Sequence, residues 1–438
     1  MRQSDTIFAL SSGAPPSGVA IVRISGSRAK DAVLRICGRV PEDRMAELAD
    51  LRDAGGELLD RGLVIVFTGP RSFTGEDCAE FQIHGGRASI AAVIDALGQI
   101  EGLRQAEAGE FTRRAFVNGK MDLTGVEALG DLISAETAVQ RRFALANADG
   151  SAKAQYDNWR ERLLHARAMI EAELDFSDEG DVPGSVADEI WRDVRLLAEE
   201  MAIKVSESRK AEILRDGFRV VILGAPNAGK SSLINRLADR DVAIISDEAG
   251  TTRDLVEVVL DLDGVRTVVT DTAGLRDDPG SVEAQGIARA LDRAADCDLV
   301  LLLEDLSNPT AVDVRTEGKV LRIGSKVDLV PDSGAGSYDV VISTKTGSGI
   351  GRLIERIREE AQTRIGGWSG ELLPFRLRQV ELLRATVSHL ESALNTQTEL
   401  ELKAEALRLA ADSIGSIVGE IRTEEVLGRI FSQFCIGK

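Results

Sequence analysis

The chain is short of the residues from which many kinds of site are built. Of 438 residues only 4 are cysteine, 3 histidine, 3 tryptophan and 2 tyrosine. Cys37, Cys78, Cys297 and Cys435 form no C-x-x-C pair, which argues against both a structural zinc site and a disulfide framework. Three histidines leave little room for imidazole-based metal chemistry. No apolar run approaches the length that spans a bilayer. The opening MRQSDTIFAL lacks the charged-then-apolar layout of an export signal, so the sequence reads as cytoplasmic. Positive charge is scarce too: 53 Lys and Arg against 72 Asp and Glu give a net charge of −19. A nucleic-acid partner would therefore have to dock on a local basic patch, since the overall field repels phosphate.

Hydrophobic residues, at 43%, suffice for packed cores, and the length suggests two or three domains. Residues 1–118 mix short apolar runs such as Val19–Val22 and Leu63–Phe67 with Gly-rich turns, an α+β texture. Residues 119–213 turn helical, with Trp159, Leu163, Ala166 and Ile170 at three- and four-residue steps. Within 214–362, unbroken apolar runs near 220–223, 256–260, 267–270, 299–303, 320–323 and 340–342 predict a largely parallel sheet. Asp263-Gly264 between the second and third runs predicts a hairpin and one antiparallel pair. Residues 363–438 are helical again, with Leu377, Val380, Leu383, Val387, Leu390 and Leu394 on one face. Texture alone allows either two helical domains or one helical bundle interrupted by an inserted α/β domain.

The chemistry is concentrated in the third segment. Gly224-Ala-Pro-Asn-Ala-Gly229-Lys230-Ser231 matches G-x-x-x-x-G-K-[ST] between a strand and a helix, the context that makes it a phosphate-binding P-loop. Backbone N–H groups of Asn227, Ala228, Gly229 and Ser232 can wrap phosphates at a helix N-terminus. Lys230 can reach the β- and γ-phosphates and the Ser231 hydroxyl can ligate Mg²⁺. Companion motifs follow in the order of a G domain. Gly250-Thr251-Thr252-Arg253-Asp254 offers a threonine to Mg²⁺ and the γ-phosphate, and Asp271-Thr-Ala-Gly274 puts a carboxylate and a glycine at the sheet edge. Ser325-Lys326-Val-Asp328 offers Asp328 to the guanine N1 and N2 donors, and Ser343-Thr344-Lys345 offers a backbone N–H to O6. Together they predict a GTPase.

Two positions depart from the usual pattern. Ser325 stands where Asn normally braces the P-loop, which predicts weaker nucleotide binding by about 1 kcal/mol for a lost hydrogen bond. Leu275 stands where many regulatory GTPases place a water-orienting Gln. Another group must serve, and Asp277, Asp278, Glu283 and Gln285 are candidates. With no arginine finger evident in the chain, a monovalent cation could supply the missing charge, and Asn227 is a suitable neutral ligand for K⁺.

At this point the sequence resembles the family of tRNA-modification GTPases called MnmE or TrmE, over essentially its whole length. The resemblance rests on the P-loop, on Asp247-Glu-Ala-Gly-Thr-Thr-Arg-Asp254, on Asp271-Thr-Ala-Gly-Leu-Arg276 and on Gly18-Val-Ala-Ile-Val-Arg-Ile-Ser-Gly26. It rests also on Ser72-Phe-Thr-Gly-Glu-Asp77, His84-Gly-Gly86 and the ending Phe434-Cys-Ile-Gly-Lys438. The resemblance implies a multidomain α/β and α+β protein, its P-loop G domain inserted into a helical domain and preceded by an α+β folate-binding, dimerising N-terminal domain. It implies work with an FAD-dependent flavoprotein on C5 of the wobble uridine of certain tRNAs, with a tetrahydrofolate derivative as one-carbon donor. Folate contacts would fall on Arg23, Glu80, Lys120 and Lys438, and Cys435 would act near the folate. K⁺ would fall on Asn227, Ser246, Glu248 and Thr251, and Mg²⁺ on Ser231 and Thr252. Glu283 would orient water, in a homodimer joined through its G domains. Arg113, Arg114, Arg141, Arg142, Arg376 and Arg378 are candidate phosphate contacts for tRNA. The competing readings are a ribosome-assembly switch without folate chemistry and a non-catalytic GTP-dependent scaffold for the flavoprotein.

Overall fold

The computed structural model describes residues 5–175, 184–240, 242–244, 257–271, 297–310, 312, 316, 318–330, 335–395, 397, 399–419, 424–432, 434 and 437. The chain divides into two compact units. The first joins Met1–Gly130, Lys153–Arg160 and Ile414–Lys438, and the second joins Asp131–Ala152 and Glu161–Ser413.

The first unit is built on a six-stranded sheet in the order β3-β4-β5-β2-β1-β6. Its strands are β1 (Thr6–Leu10), β2 (Ser17–Ser25), β3 (Glu47–Arg52), β4 (Leu58–Phe67), β5 (Cys78–Gly85) and β6 (Leu103–Gln105). Pairing is antiparallel from β3 through β1, while β6 joins β1 in parallel. Helices α1 (Ala29–Cys37) and α2 (Arg87–Gly98) contribute Val33, Ile36, Val93 and Leu97 to a core shared with Val22, Ile24, Val64, Val66, Phe81 and Ile83. Alternate strand positions supply that face because successive side chains point to opposite sides. On β1, Phe8 joins this core, whereas Ile7 and Ala9 pack with Phe111 of α3 (Glu110–Val117). The first helix after the sheet thus begins at Glu110, earlier than the helical texture shows.

A smaller cluster joins Phe116, Leu123, Val126 and Phe431, the last from the carboxy-terminal helix Glu424–Ser432. Gly109 makes this approach possible: it sits at φ +68°, and a Cβ there would lie 2.3 Å from the Phe431 carbonyl oxygen. Gly437 is held equally tightly at φ +100°, where a Cβ would fall 1.9 Å from the Leu10 carbonyl oxygen.

The second unit contains a six-stranded sheet in the order β12-β11-β10-β7-β9-β8. These are β7 (Phe218–Gly224), β8 (Glu257–Leu262), β9 (Val265–Asp271), β10 (Leu299–Asp305), β11 (Lys319–Ser325) and β12 (Val340–Val341). All neighbours are parallel except β8 and β9, as the Asp263-Gly264 turn predicts. Both turn residues take positive φ, +55° and +87°, which suits the strand twist of a tight hairpin. Helix α9 (Lys230–Ala238) follows the P-loop, and α10 (Ile350–Ile365) closes the α/β part with Ile350, Leu353, Ile354 and Ile357 buried.

The remaining helices include α4 (Leu123–Ser134), α5 (Ala138–Ala148), α6 (Ser151–Asp175), α7 (Gly184–Ser206), α8 (Ser208–Asp216) and α11 (Leu377–Leu394). Thr137 and Gln140 form a reciprocal capping box that fixes the start of α5. Of the apolar stripe on α11, Val380, Leu383 and Leu390 are buried, but Leu377 is 69% exposed. Leu377 is the first residue of that helix.

Candidate nucleotide and folate sites

The described motif residues of the second unit collect at the carboxyl ends of β7, β9, β11 and β12, the edge where parallel α/β sheets bind ligands. The P-loop conformation follows from three residues. Gly224 has φ +158° and no space for a side chain, since a Cβ would lie 2.4 Å from the Leu303 carbonyl oxygen of the adjacent strand. Asn227 takes φ +63°, a region that Asn tolerates better than most residues. Gly229 at φ +101° turns the chain into α9. The loop is therefore preset, with Ala228 buried and Pro226 and Asn227 exposed.

Inside the loop the Lys230 ammonium donates to the carbonyl oxygens of Gly224 (2.8 Å) and Ala225 (3.0 Å). Burial pulls its pKa below the ordinary lysine value, and the Asp271 carboxylate opposes that shift. Ser231 donates its hydroxyl proton to Asp271 Oδ2 at 2.8 Å. A hydroxyl and a buried carboxylate at this separation make a hard oxygen donor set, the kind Mg²⁺ selects.

The candidate base-recognition motifs lie at three strand ends. Ser325, 2% exposed, donates to the Ala228 carbonyl oxygen at 2.7 Å and lies 3.2 Å from the Glu304 carbonyl oxygen. Serine therefore keeps the brace to the P-loop that its short side chain seemed set to lose. What it gives up is the second donor of an asparagine, because one proton cannot serve both carbonyls. Lys326 takes φ +59° and places its ammonium 2.5 Å from Asp305 Oδ2. Asp328 sits on the short 3₁₀ turn Val327–Leu329. Beside it, the buried Ser343 accepts from the Thr346 N–H at 3.1 Å and its carbonyl accepts from Gly347 at 2.8 Å. The N–H groups of Thr344 and Lys345 make no hydrogen bond among the described residues. The two candidate base-binding loops are stitched together by the Val327 N–H on the Ile342 carbonyl, 3.2 Å.

In the first unit, Arg23 and Glu80 are directly opposite across β2 and β5. Arg23 Nε donates to Glu80 Oε1 at 3.0 Å, and its guanidinium lies 5.2 Å from the Phe73 ring centroid and 5.9 Å from that of Phe111. Arg23 is thus a paired, ring-stacked group with 22% of its side chain exposed. Lys120 is elsewhere, lying along Gly75 in the loop before β5. That loop is tied down by Glu76, which accepts from Ser25 (2.7 Å) and Arg114 (3.0 Å). Sequence reasoning missed Glu76 although it lies within the quoted Ser72–Asp77 motif. The carboxy-terminal segment meets the same sheet: Ser11 Oγ donates to the Gly437 carbonyl at 2.6 Å, one residue past the end of β1. His84, read as structural, has its Nδ1 2.8 Å from Asp60 Oδ1, and Asp60 also accepts the His84 backbone N–H at 2.8 Å.

Two of the candidate phosphate contacts are spoken for. Arg114 is held by Glu76 and Glu110 with 12% of its side chain exposed, and Arg376 pairs with Asp131 at 2.5 Å. Both are corrected to internal ion pairs. Arg141 and Arg142 are exposed on α5. Ser246, Glu248, Thr251, Thr252, Gly274, Glu283, Cys435 and Lys438 lie outside the described residues.

Comparison with known proteins covers both units of the chain. A family model described as the MnmE helical domain matches residues 123–435, and one described as the GTP-binding protein TrmE N-terminus matches residues 6–120. A tRNA modification GTPase MnmE from Chelativorans sp. (strain BNC1) is 55% identical over 435 residues, 99% of this chain and 98% of that one. A protein of the same name from Mesorhizobium japonicum is 53% identical over 444 residues, covering 100% of both chains. No described helix is long and apolar enough to cross a membrane.

Proposed function

This chain belongs to the MnmE family of tRNA modification GTPases, and from that premise we propose that it is a K⁺-activated GTPase that modifies tRNA with a flavoprotein partner. The modification is of aminomethyl or carboxymethylaminomethyl type at C5 of the wobble uridine. A tetrahydrofolate derivative (5,10-methylene- or 5-formyl-) supplies the one-carbon unit. The protein works in the cytoplasm as a homodimer. The ribosome-assembly reading gives way to this one because the matched family spans the N-terminal domain as well as the G domain.

The observation that carries the nucleotide half is the meeting of Ser231 and Asp271 at 2.8 Å beside a preset P-loop. There Ser231 and Thr252 would hold Mg²⁺, with Asp271 close behind. Mg²⁺ supplies charge neutralisation between the β- and γ-phosphates. Lys230, now held by two loop carbonyls, exchanges them for phosphate oxygens, and phosphate charge opposes the burial that weakens its ammonium. Asn227, Ser246, Glu248 and Thr251 would hold K⁺, and Glu283 would orient the attacking water. Asp328, Thr344 and Lys345 select guanine through groups that adenine does not match.

The folate half is supported by Arg23 and Glu80 facing one another while Gly437 seats the tail against the end of β1. A carboxylate and a guanidinium side by side fit the amino–amide edge of a pterin, which carries donors and an acceptor. Cys435 and Lys438 would contact the folate from either side of Gly437 in the sequence, and Lys120 would contact it from the neighbouring loop. The test is GTP hydrolysis in equimolar K⁺ and Na⁺ buffers for the wild type and Glu283→Ala. Fast turnover in K⁺ alone, reduced on the order of 10²-fold by the variant, is the expected result. Equal slow rates in both salts, unchanged by the variant, would sink the cation-dependent mechanism.

A further inference from the structure

We propose that Asp305 is a positioning residue for guanine recognition, holding Lys326 in the place against which the base rests. The inference rests on the guanine-nucleotide part of the reading above and on no other part of it. Asp305 ends β10 and is the parallel register partner of Ser325, the last residue of β11. Its carboxylate is fixed at both oxygens. Oδ2 receives the Lys326 ammonium at 2.5 Å, while Oδ1 accepts from the Ser307 N–H (2.9 Å) and hydroxyl (2.6 Å). The turn it begins is laced to the base motif, since the Leu306 N–H donates to the Ser325 carbonyl at 3.1 Å.

Lys326 needs such a hold. Its backbone takes φ +59°, a conformation uncommon for a residue of its kind, and a free lysine side chain samples many rotamers. Stretched between that backbone and Asp305, its four-carbon stem is a fixed apolar strip two residues from Asp328. A purine whose N1 and N2 donors meet Asp328 presents a ring face that such a strip can cover. Burial alone would push the Asp305 carboxyl up, but Lys326 and Ser307 outweigh it and keep the group below the usual carboxylate range. With 15% of the Asp305 side chain and 33% of Lys326 exposed, the pair sits at the rim of the site.

The experiment measures mant-GDP affinity and GTPase kinetics for the wild type, Asp305→Ala, Asp305→Asn, Lys326→Met and the Asp305→Ala/Lys326→Met double variant, with melting temperatures alongside. The expected result is a roughly tenfold weaker mant-GDP affinity and a matching rise in KM for Asp305→Ala, with kcat within about twofold. Asp305→Asn, which keeps an acceptor but not the charge, falls between. The double variant binds no worse than Lys326→Met, because Asp305 acts only through that lysine. Additive losses, or an Asp305→Ala protein with unchanged affinity, overturn the proposal. A lower melting temperature with unchanged KM overturns it too, since that is the mark of a merely structural pair. Failure of the wild type to bind mant-GDP would instead overturn the guanine-nucleotide reading itself.

Discussion

Removing the Ser325 hydroxyl tests whether this side chain, shorter than the one usual at its position, holds the phosphate loop. In Ser325→Ala the Ala228 carbonyl loses a donor at 2.7 Å, in a residue that is 1% exposed. The second neighbour, the Glu304 carbonyl at 3.2 Å, adds little, because the single proton is already committed to the shorter contact. Stranding a buried acceptor costs roughly 1–3 kcal/mol. The lower half of that range applies here, since Pro226 and Asn227 next to Ala228 are exposed and let water approach the loop. A cost of roughly 1–2 kcal/mol falling on the nucleotide-competent loop weakens binding about 5- to 30-fold at 1.4 kcal/mol per decade. Stopped-flow release of mant-GDP, with equilibrium titration, reads this directly as a faster off-rate. Release within twofold of wild type, in a protein that melts at the same temperature, would show that the loop holds its shape without Ser325.

Other substitutions probe the scaffold. Gly264→Ala forces a side chain into φ +87° with its Cβ 2.8 Å from Val139 Cγ2, so urea unfolding should show a loss of about 1–3 kcal/mol. Adding Val139→Ala should relieve the contact but not the backbone strain, and full recovery would contradict that division. Glu110 is pushed up by burial but pulled down to about 2 by Arg104, the Glu107 N–H and Arg114. A depressed carboxyl stabilises the fold above its unfolded pKa of about 4.5 and loses that contribution as pH falls toward 2. Glu110→Gln should therefore flatten the acid limb of a stability–pH curve by up to about 3 kcal/mol, and an unchanged limb would contradict the ion-pair account. Arg23→Ala should abolish folate binding measured by calorimetry while leaving K⁺-stimulated GTPase activity intact; retained folate affinity would remove Arg23 from the site.

What could be read from the sequence was what is encoded in contiguous runs. The P-loop announces itself because glycines, lysine and serine must stand at fixed offsets, and the hairpin because Asp263-Gly264 is the one pair there suited to positive φ. The parallel order of the G-domain sheet followed from apolar runs too continuous for a half-exposed sheet. Long-range pairings left no such trace. The i, i+4 spacing offers Glu110 to Arg114, but nothing local shows that Arg114 also meets Glu76 or that Arg376 meets Asp131, so both looked like free cations. The Ser325 brace was underestimated because residue size was weighed without knowing how near the Ala228 carbonyl comes. Asp305 had one signal, an acidic residue closing an apolar strand, but only the register with Ser325 gives it meaning.

The β8–β9 hairpin has a mechanical consequence. One end of β9 carries Asp271, which accepts the Ser231 hydroxyl of the P-loop helix. Near the other, Arg266 forks to Glu136 (2.5 Å), just ahead of α5, and to the Asp216 carbonyl (2.7 Å) at the end of α8. The tip is pinned by Gly264 against Val139 and by Asp263 on Arg358, 3.4 Å away. Five residues of extended chain, roughly 17 Å, separate the phosphate end from these clips. Along that length β9 is hydrogen-bonded to β7 on one side and β8 on the other. A shift of Asp271 along the strand axis would have to carry both ladders with it, and with them the clips at Glu136 and Asp216.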